Sequence, residues 1–204
     1  VISGIRTLAS GRIILDGINI SGINARKIKD MGLGHIPDDR FVAGLVPEMS
    51  IEENLILGDH RGLYANGALI DFGKMRLSAE RAIKEFQISA PSSETPTGNL
   101  SGGNAQRVIL AREIMLATKV LLANQPTRGL DVGVIEYIHK RLLEKRAQGV
   151  AVLIASSELE DLMNLCDRIG VLFQGRLMGI VDAQDTSLEE IGLLMAGQPL
   201  EVAA

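Results

Sequence analysis

Two side-chain amides stand where a short apolar run meets a proline. The stretch LLANQPTRGLDVG (121–133) has the pattern of a buried strand that ends on Asn124 and Gln125 and is stopped by Pro126. In open α/β sheets this end of a strand is where ligands bind, and a buried amide there needs hydrogen-bond partners. An amide can orient water, but it supplies no charge for Mg²⁺ and cannot act as a general base. The simpler alternative is two polar residues that close a strand.

A second candidate site precedes a helical pattern. The run NLSGGNAQRVILAREI (99–114) places Ser101, Gly102 and Gly103 directly before the helix. Free N–H groups and the positive end of the helix dipole suit a phosphate at such a position, and glycines allow a ligand to approach the backbone closely. A lone Ser-Gly-Gly is more simply a capped helix start, with Ser101 as the cap.

Other polar positions allow structural interpretations. Asp38 and Asp39 next to Arg40 resemble a surface ion-pair cluster of little energetic value. Ser157 fits a loop or cap residue before a helix that starts near residue 159. The histidines show no metal-binding spacing and are expected to be structural or solvent-facing: His35, His60 and His139.

The elements that must position these residues alternate along the chain. Short apolar runs and helical patterns follow one another, which predicts an α/β fold with a largely parallel sheet. Ser50 and Glu53 form the two halves of a helix capping box. Strands are predicted at 10–20, with a turn at Gly17, and at 32–36, 120–123, 150–155 and 168–173, the last followed by a hairpin turn at Gln174 and Gly175. Helices are predicted at 51–57 and 74–86 with a glycine-containing loop between them, and at 25–31, 104–117, around 135–142 and from about 159. A loop is predicted at 87–99.

Bulk composition restricts the class of protein. The 204 residues are 46% hydrophobic and 23% charged, which is typical of a globular chain. The net charge of −4 and the absence of basic runs argue against nucleic acid as the main partner. The apolar runs are far shorter than the roughly 20 residues of a membrane helix. The single cysteine, Cys166, cannot form an internal disulfide and fits a reducing cytosol.

The order of the motifs resembles that of the ATP-binding cassette (ABC) ATPases over nearly the whole chain. LSGG is similar to the signature loop of that family, PTRGLDVG to the segment that joins Walker B to the D-loop, and GHIPDDRFVAGLVPEMSIEENLIL (34–57) to the Q-loop region. VLIASSELEDLMNLCDRIGVLFQGRLMG (152–179) is similar to the switch region. Within the family, the strongest resemblance is to the second, C-terminal cassette of tandem importers for simple sugars or nucleosides, with nucleosides favoured. It rests on the runs PTRGLDVGVIEYIHKRLLE and IPDDR.

The resemblance implies a fold and a set of sites. The expected fold is a P-loop NTPase-like sheet flanked by helices, with the Q-loop region and a helical subdomain at about 40–99 and the signature helix, Walker B, D-loop and switch region at 100–204. Ser101, Gly102 and Gly103 would contact the ATP of a partner half, and Asp131 of the D-loop would lie at the junction.

Several expected parts of that family are missing or altered. No G-x-x-x-x-G-K-[ST] loop occurs, so Walker A is absent. The chain starts at Val1 without a methionine, and its first residues resemble the segment that comes after that loop in the family; an incomplete cassette without the first strand or strands is therefore expected. Asn124 and Gln125 replace the Asp and Glu of Walker B, Ser157 replaces the switch histidine, and Asp38 replaces the Q-loop glutamine.

These departures lead to a functional hypothesis. The parent protein would be the ATP-binding subunit of an ABC importer, using ATP and Mg²⁺. This half would donate its signature loop to the other cassette of the same chain, and the fragment alone would be inactive. Transmembrane permease subunits would be direct partners and a substrate-binding protein an indirect one, with no nucleic acid. The expected location is the cytoplasmic, inner face of the cell membrane.

Two other classes of function stay open at this stage. One is a soluble ABC ATPase that acts on nucleic acid or the ribosome, which the acidic balance of the chain disfavours. The other is a non-catalytic interaction module that uses the fold as a scaffold, which the altered Walker B positions favour.

Overall fold

The computed structural model of the chain describes residues 1–59, 62–66 and 69–198. His60, which the sequence predicts to be structural or solvent-facing, lies outside these ranges. Contacts divide the chain into two units, Val1–Ala155 and Ser156–Ala204, and each is described by itself. In the described ranges, no helix has both the length and the apolar character that crossing a membrane requires.

A parallel sheet of three strands organises the first unit. Its order is β3 (Leu33–Ile36), β6 (Val120–Asn124) and β7 (Ala151–Ala155), and His35, Leu122 and Leu153 are aligned across it. The strands coincide with the apolar runs predicted at 32–36, 120–123 and 150–155. The predicted α/β class with a parallel sheet is confirmed.

Short N-terminal elements and two long helices surround this sheet. The antiparallel pair β1 (Ile14–Leu15) and β2 (Ile18–Asn19) turns through Asp16 and Gly17, both at positive φ. Helix α1 (Ala25–Asp30) follows. Helix α4 (Gly102–Leu116) starts two residues before the predicted 104–117, because Ser101 caps it and both glycines belong to its first turn. Helix α5 (Val132–Ala147) buries Val134, Ile138 and Leu142, spaced four residues apart along one face.

The region between β3 and α4 is more varied than its sequence pattern predicts. It contains a π-helix (Arg40–Gly44), α2 (Ile51–Leu55), the strand pair β4 (Ala65–Asn66) and β5 (Leu69–Ile70), α3 (Phe72–Glu85) and a 3₁₀ turn (Thr97–Asn99). The capping box of Ser50 and Glu53 is confirmed. The two helices predicted at 51–57 and 74–86 are confirmed as α2 and α3, and β4 and β5 lie in the glycine-containing loop predicted between them. The sequence did not indicate these strands, because two residues are too few to show alternation.

The second unit packs two helices with a hairpin. Strands β8 (Arg168–Phe173) and β9 (Arg176–Asp182) pair antiparallel through the predicted turn at Gln174 and Gly175. Helix α6 (Leu159–Leu165) starts at the predicted residue, whereas α7 (Leu188–Met195) was not predicted. The core of this unit comprises Ile169, Val171, Ala183, Ile191 and Leu194.

Candidate functional site

The end of β6 makes a tight turn that is held by backbone hydrogen bonds. Asn124 is half-buried and pairs in register with Ala155. Gln125 has a positive φ of 48°, which is uncommon for a residue with a side chain. Its N–H donates to the Ala155 carbonyl at 2.7 Å, and its own carbonyl accepts from the Arg128 N–H at 3.2 Å. The strand therefore ends at the two amides, as the sequence predicts.

An open groove of about 310 Å³ lies beside this strand end. Asn124 lines it together with His35, Leu153 and the first three residues of the chain, and most of its lining is apolar. Burial lowers the pKa of His35, against the attraction of the Glu113 carboxylate. The imidazole is therefore neutral at neutral pH. None of the lining residues carries a carboxylate.

Magnesium fits this strand end poorly. Mg²⁺ in proteins is held by carboxylates and phosphates with water, whereas Asn124 and Gln125 offer only neutral amide oxygens. In the part of the chain that the structure describes, no group of three or more His, Cys, Asp or Glu is arranged to hold a metal. The strand end can orient a polar ligand or a water molecule, but it lacks the charge to hold the metal.

The start of α4 combines a helix cap with accessible backbone donors. The exposed Ser101 accepts hydrogen bonds at its Oγ from the Asn104 N–H at 3.4 Å and from Asn104 Nδ2 at 3.0 Å. The cap expected from the sequence is therefore present. The N–H groups of Gly102 and Gly103 lie in the first turn of this 15-residue helix, where no intrahelical acceptor exists. The geometry suits an anion.

Asp131 lies next to this helix start. Its carboxylate caps α5 by accepting from the Val134 N–H at 3.1 Å. A Cβ added to Gly103 would lie 3.9 Å from Asp131 Oδ2 and 3.0 Å from Val134 Cγ2. Gly103 therefore lets the two helix starts approach, and the structure brings the predicted signature loop and the predicted D-loop residue together.

Two other predicted positions, Asp38 and Ser157, are exposed. Asp38 is exposed after β3 and Pro37. Asp39 caps the π-helix, where its Oδ1 accepts from the N–H groups of Phe41 and Val42, each at 2.9 Å. Asp39 therefore has a specific local role rather than membership of a surface ion-pair cluster. Ser157 belongs to the second unit, where it is exposed just before α6.

Sequence reasoning missed a buried charged network that is centred on Glu113. Its Oε1 accepts from Arg112 Nε at 2.6 Å and lies 3.5 Å from Lys29 Nζ, and its Oε2 accepts from the His35 N–H at 2.9 Å. Arg112 also donates to the carbonyls of Gly44 and Asn54, at 2.8 and 3.3 Å. Burial lowers the pKa of Lys29, with Glu113 opposing that shift. The only signal was an Arg-Glu pair within an otherwise apolar helix face.

A second missed residue joins α4 to the strand end. Gln106 is almost fully buried, and its Nε2 donates to the Pro126 carbonyl at 2.9 Å. The residue is four positions after Gly102, so its hydrogen bond fixes the helix start relative to the turn after Gln125. The sequence offered one indication of this role, which is a polar side chain at a position whose neighbours are buried.

The chain matches a known family and several of its curated members. The family model described as ABC transporter matches residues 1–128. The guanosine import ATP-binding protein NupO of Bacillus subtilis (strain 168) is 45% identical over 197 residues, which are 96% of this chain and 39% of that protein. The nucleoside import ATP-binding protein NupA of Lactococcus lactis subsp. cremoris (strain MG1363) is 41% identical, with coverages of 96% and 39%. The chain therefore spans well under half the length of these relatives.

Solved structures share the fold. The ATP-binding cassette MJ1267 of an ABC transporter has a TM-score of 0.74 at 22% identity, covering 96% of this chain and 77% of that chain. The dimeric cassette MJ0796, in a post-hydrolysis state bound to ADP and Pi, has a TM-score of 0.74 at 21% identity, with coverages of 89% and 77%. At these identities the likeness establishes the fold alone.

Proposed function

Because the chain belongs to the ABC transporter ATP-binding domains, we propose that it forms one half of an ATP-hydrolysing pair and donates its signature loop to the other half. In this proposal Ser101, Gly102 and Gly103 contact the nucleotide that the partner cassette holds. The chain's own strand end, with Asn124 and Gln125, contributes little or no hydrolysis. Asp131 lies at the junction of the two halves.

The chemical difference between the start of α4 and the end of β6 carries this proposal. The start of α4 offers an exposed Ser101 and free first-turn N–H groups, with Asp131 beside them. The end of β6 offers two neutral amides and a groove without a carboxylate. The start of α4 is thus a preorganised anion site, whereas the end of β6 has no charge with which to hold Mg²⁺. This combination suits a chain that contacts the phosphates of a nucleotide held by the partner cassette.

The substrate class and the partners are inferred from the relatives. NupO and NupA are named for guanosine and nucleoside import, and both are more similar to this chain than the glucose import protein TsgD13 of Haloferax volcanii, at 36% identity. We therefore propose nucleoside import for the full-length protein. The other cassette and permease subunits are the proposed direct partners, at the inner face of the membrane, and a substrate-binding protein is an indirect one.

An exposed apolar segment supports the permease as a partner. Val42 of the π-helix is 84% exposed, and Phe41 and Met49 nearby are 40% and 37% exposed. Apolar side chains of this size are costly to leave in water and are typical of a surface that another protein covers. The proposed occupant is a short helix of the permease.

Calorimetry tests the inactivity of the chain's own site. Mg-ATP is titrated into the 204-residue chain. The dissociation constant is expected to exceed about 100 µM, with no release of phosphate, because the end of β6 offers no carboxylate and the 204 residues contain no Walker A lysine to hold the nucleotide. A cooperative thermal transition of the same sample controls for folding. A dissociation constant in the low micromolar range would refute this part of the proposal.

A further inference from the structure

The guanidinium of Arg40 lies between the start of α4 and the turn that precedes α5. Its Nη1 donates to the Arg128 carbonyl at 3.1 Å, in the turn before α5. Its Nη2 lies 3.8 Å from the positions that a Cβ would take on Gly102 and on Gly129. One side chain therefore donates a hydrogen bond to the turn that leads to Asp131 and lies close to the first residue of α4.

The π-helix that carries Arg40 is fixed to α4 at its other end. The Gly44 carbonyl accepts from Arg112 Nη2 at 2.8 Å. A Cβ added to Gly44 would lie only 2.5 Å from Ile109 Cδ1, so the backbone of the π-helix packs directly against α4. Asp39 fixes the first turn by capping it. The π-helix and its Arg40 side chain are therefore anchored to the helix whose start they contact.

We propose that Arg40 is a positioning residue that holds the start of α4 and the Arg128–Gly129 turn in a fixed arrangement with the π-helix. When the exposed apolar segment at Phe41 and Val42 is displaced, Arg40 then transmits the movement to the start of α4 and to the Arg128–Gly129 turn. Arg40 is half-buried, and a single hydrogen bond to a carbonyl contributes little to overall stability, so its main effect is on local geometry. The functional consequence rests on the proposed function above.

Hydrogen exchange in the full-length protein tests the positioning directly. Arg40→Ala is expected to speed exchange about tenfold in peptides that contain residues 104–105 and 128–130, because local opening becomes easier there. Arg40→Lys should restore part of the protection, since a lysine can still donate one hydrogen bond to the Arg128 carbonyl. Arg81→Ala, on the exposed side of α3, is the matched control and should leave both peptides unchanged.

Two outcomes would overturn the positioning role. Wild-type exchange in both peptides of Arg40→Ala would show that the contact constrains neither loop. Faster exchange throughout the protein, with a lower melting temperature, would show a general structural role instead.

Kinetics separates this inference from the proposed function. Arg40→Ala should lower kcat for ATP about tenfold and leave KM within about twofold, because misplaced groups slow the reaction while the partner cassette still binds the nucleotide. Wild-type hydrolysis in Ser101→Arg would refute signature donation while the exchange result still decides the role of Arg40. Lost hydrolysis in Ser101→Arg with wild-type exchange and kcat in Arg40→Ala would refute the role of Arg40 alone.

Discussion

Ser101→Arg is expected to lower ATP hydrolysis by the full-length protein about 100-fold or more, since removal of one preorganised donor to a developing charge costs about that much. The arginine side chain would occupy the space in front of Gly102 and Gly103, where the nucleotide phosphate of the partner cassette is proposed to bind. Steady-state phosphate release at saturating Mg-ATP measures the effect, and the proposed uptake of nucleosides by cells should fall in parallel.

A matched variant separates this effect from the loss of a helix cap. Ser187 caps α7 in the second unit as Ser101 caps α4, so Ser187→Arg removes a comparable cap at about 1 kcal/mol from a helix that does not carry the proposed phosphate site. Hydrolysis by Ser187→Arg should remain near that of the wild type. Equal activity of the two variants would mean that Ser101 is only a cap.

Glu113→Ala is expected to lower the free energy of unfolding by about 3 to 5 kcal/mol, the usual cost of removing one partner of a buried ion pair. Arg112 would stay buried without its carboxylate, and the His35 N–H would lose its acceptor. Arg112 is too enclosed for water to replace the lost oxygen at low cost. Urea denaturation followed by circular dichroism measures the change.

A surface glutamate provides the control for this variant. Glu136 lies on the exposed side of α5, and Glu136→Ala should change the free energy of unfolding by less than about 0.5 kcal/mol. A cost below about 1 kcal/mol for Glu113→Ala would show that the Glu113 carboxylate adds little to the stability of the fold.

Local sequence signals were sufficient for most of the elements. The apolar run at 120–123, stopped by Pro126, is a strand because its residues are buried on both faces of a parallel sheet. Ser50 with Glu53 predicted a helix start because the capping box is satisfied within four residues. The family itself was identifiable because LSGG and PTRGLDVG keep their order and spacing.

Features that depend on distant contacts could not be predicted. The π-helix is fixed by Arg112, more than sixty positions later in the chain, through its bond to the Gly44 carbonyl. Glu113 joins α1, β3 and α4, and nothing in the sequence near it indicates those partners. The closeness of Gly103 to Asp131 likewise arises from the packing of α4 against α5. The roles of Asn124, Gln125, Ser157 and Asp38 in the parent protein stay predictions.

The number of hydrolysis-competent sites in the full-length protein tests the central claim most directly. Vanadate traps ADP only at a site that has completed hydrolysis, so the trapped nucleotide counts competent sites. One ADP per protein molecule is expected, and it should be lost in Ser101→Arg, because in the proposed function this chain completes the site of the other cassette and its own site does not hydrolyse ATP. Two trapped ADP molecules per protein, or one that persists in Ser101→Arg, would contradict the account.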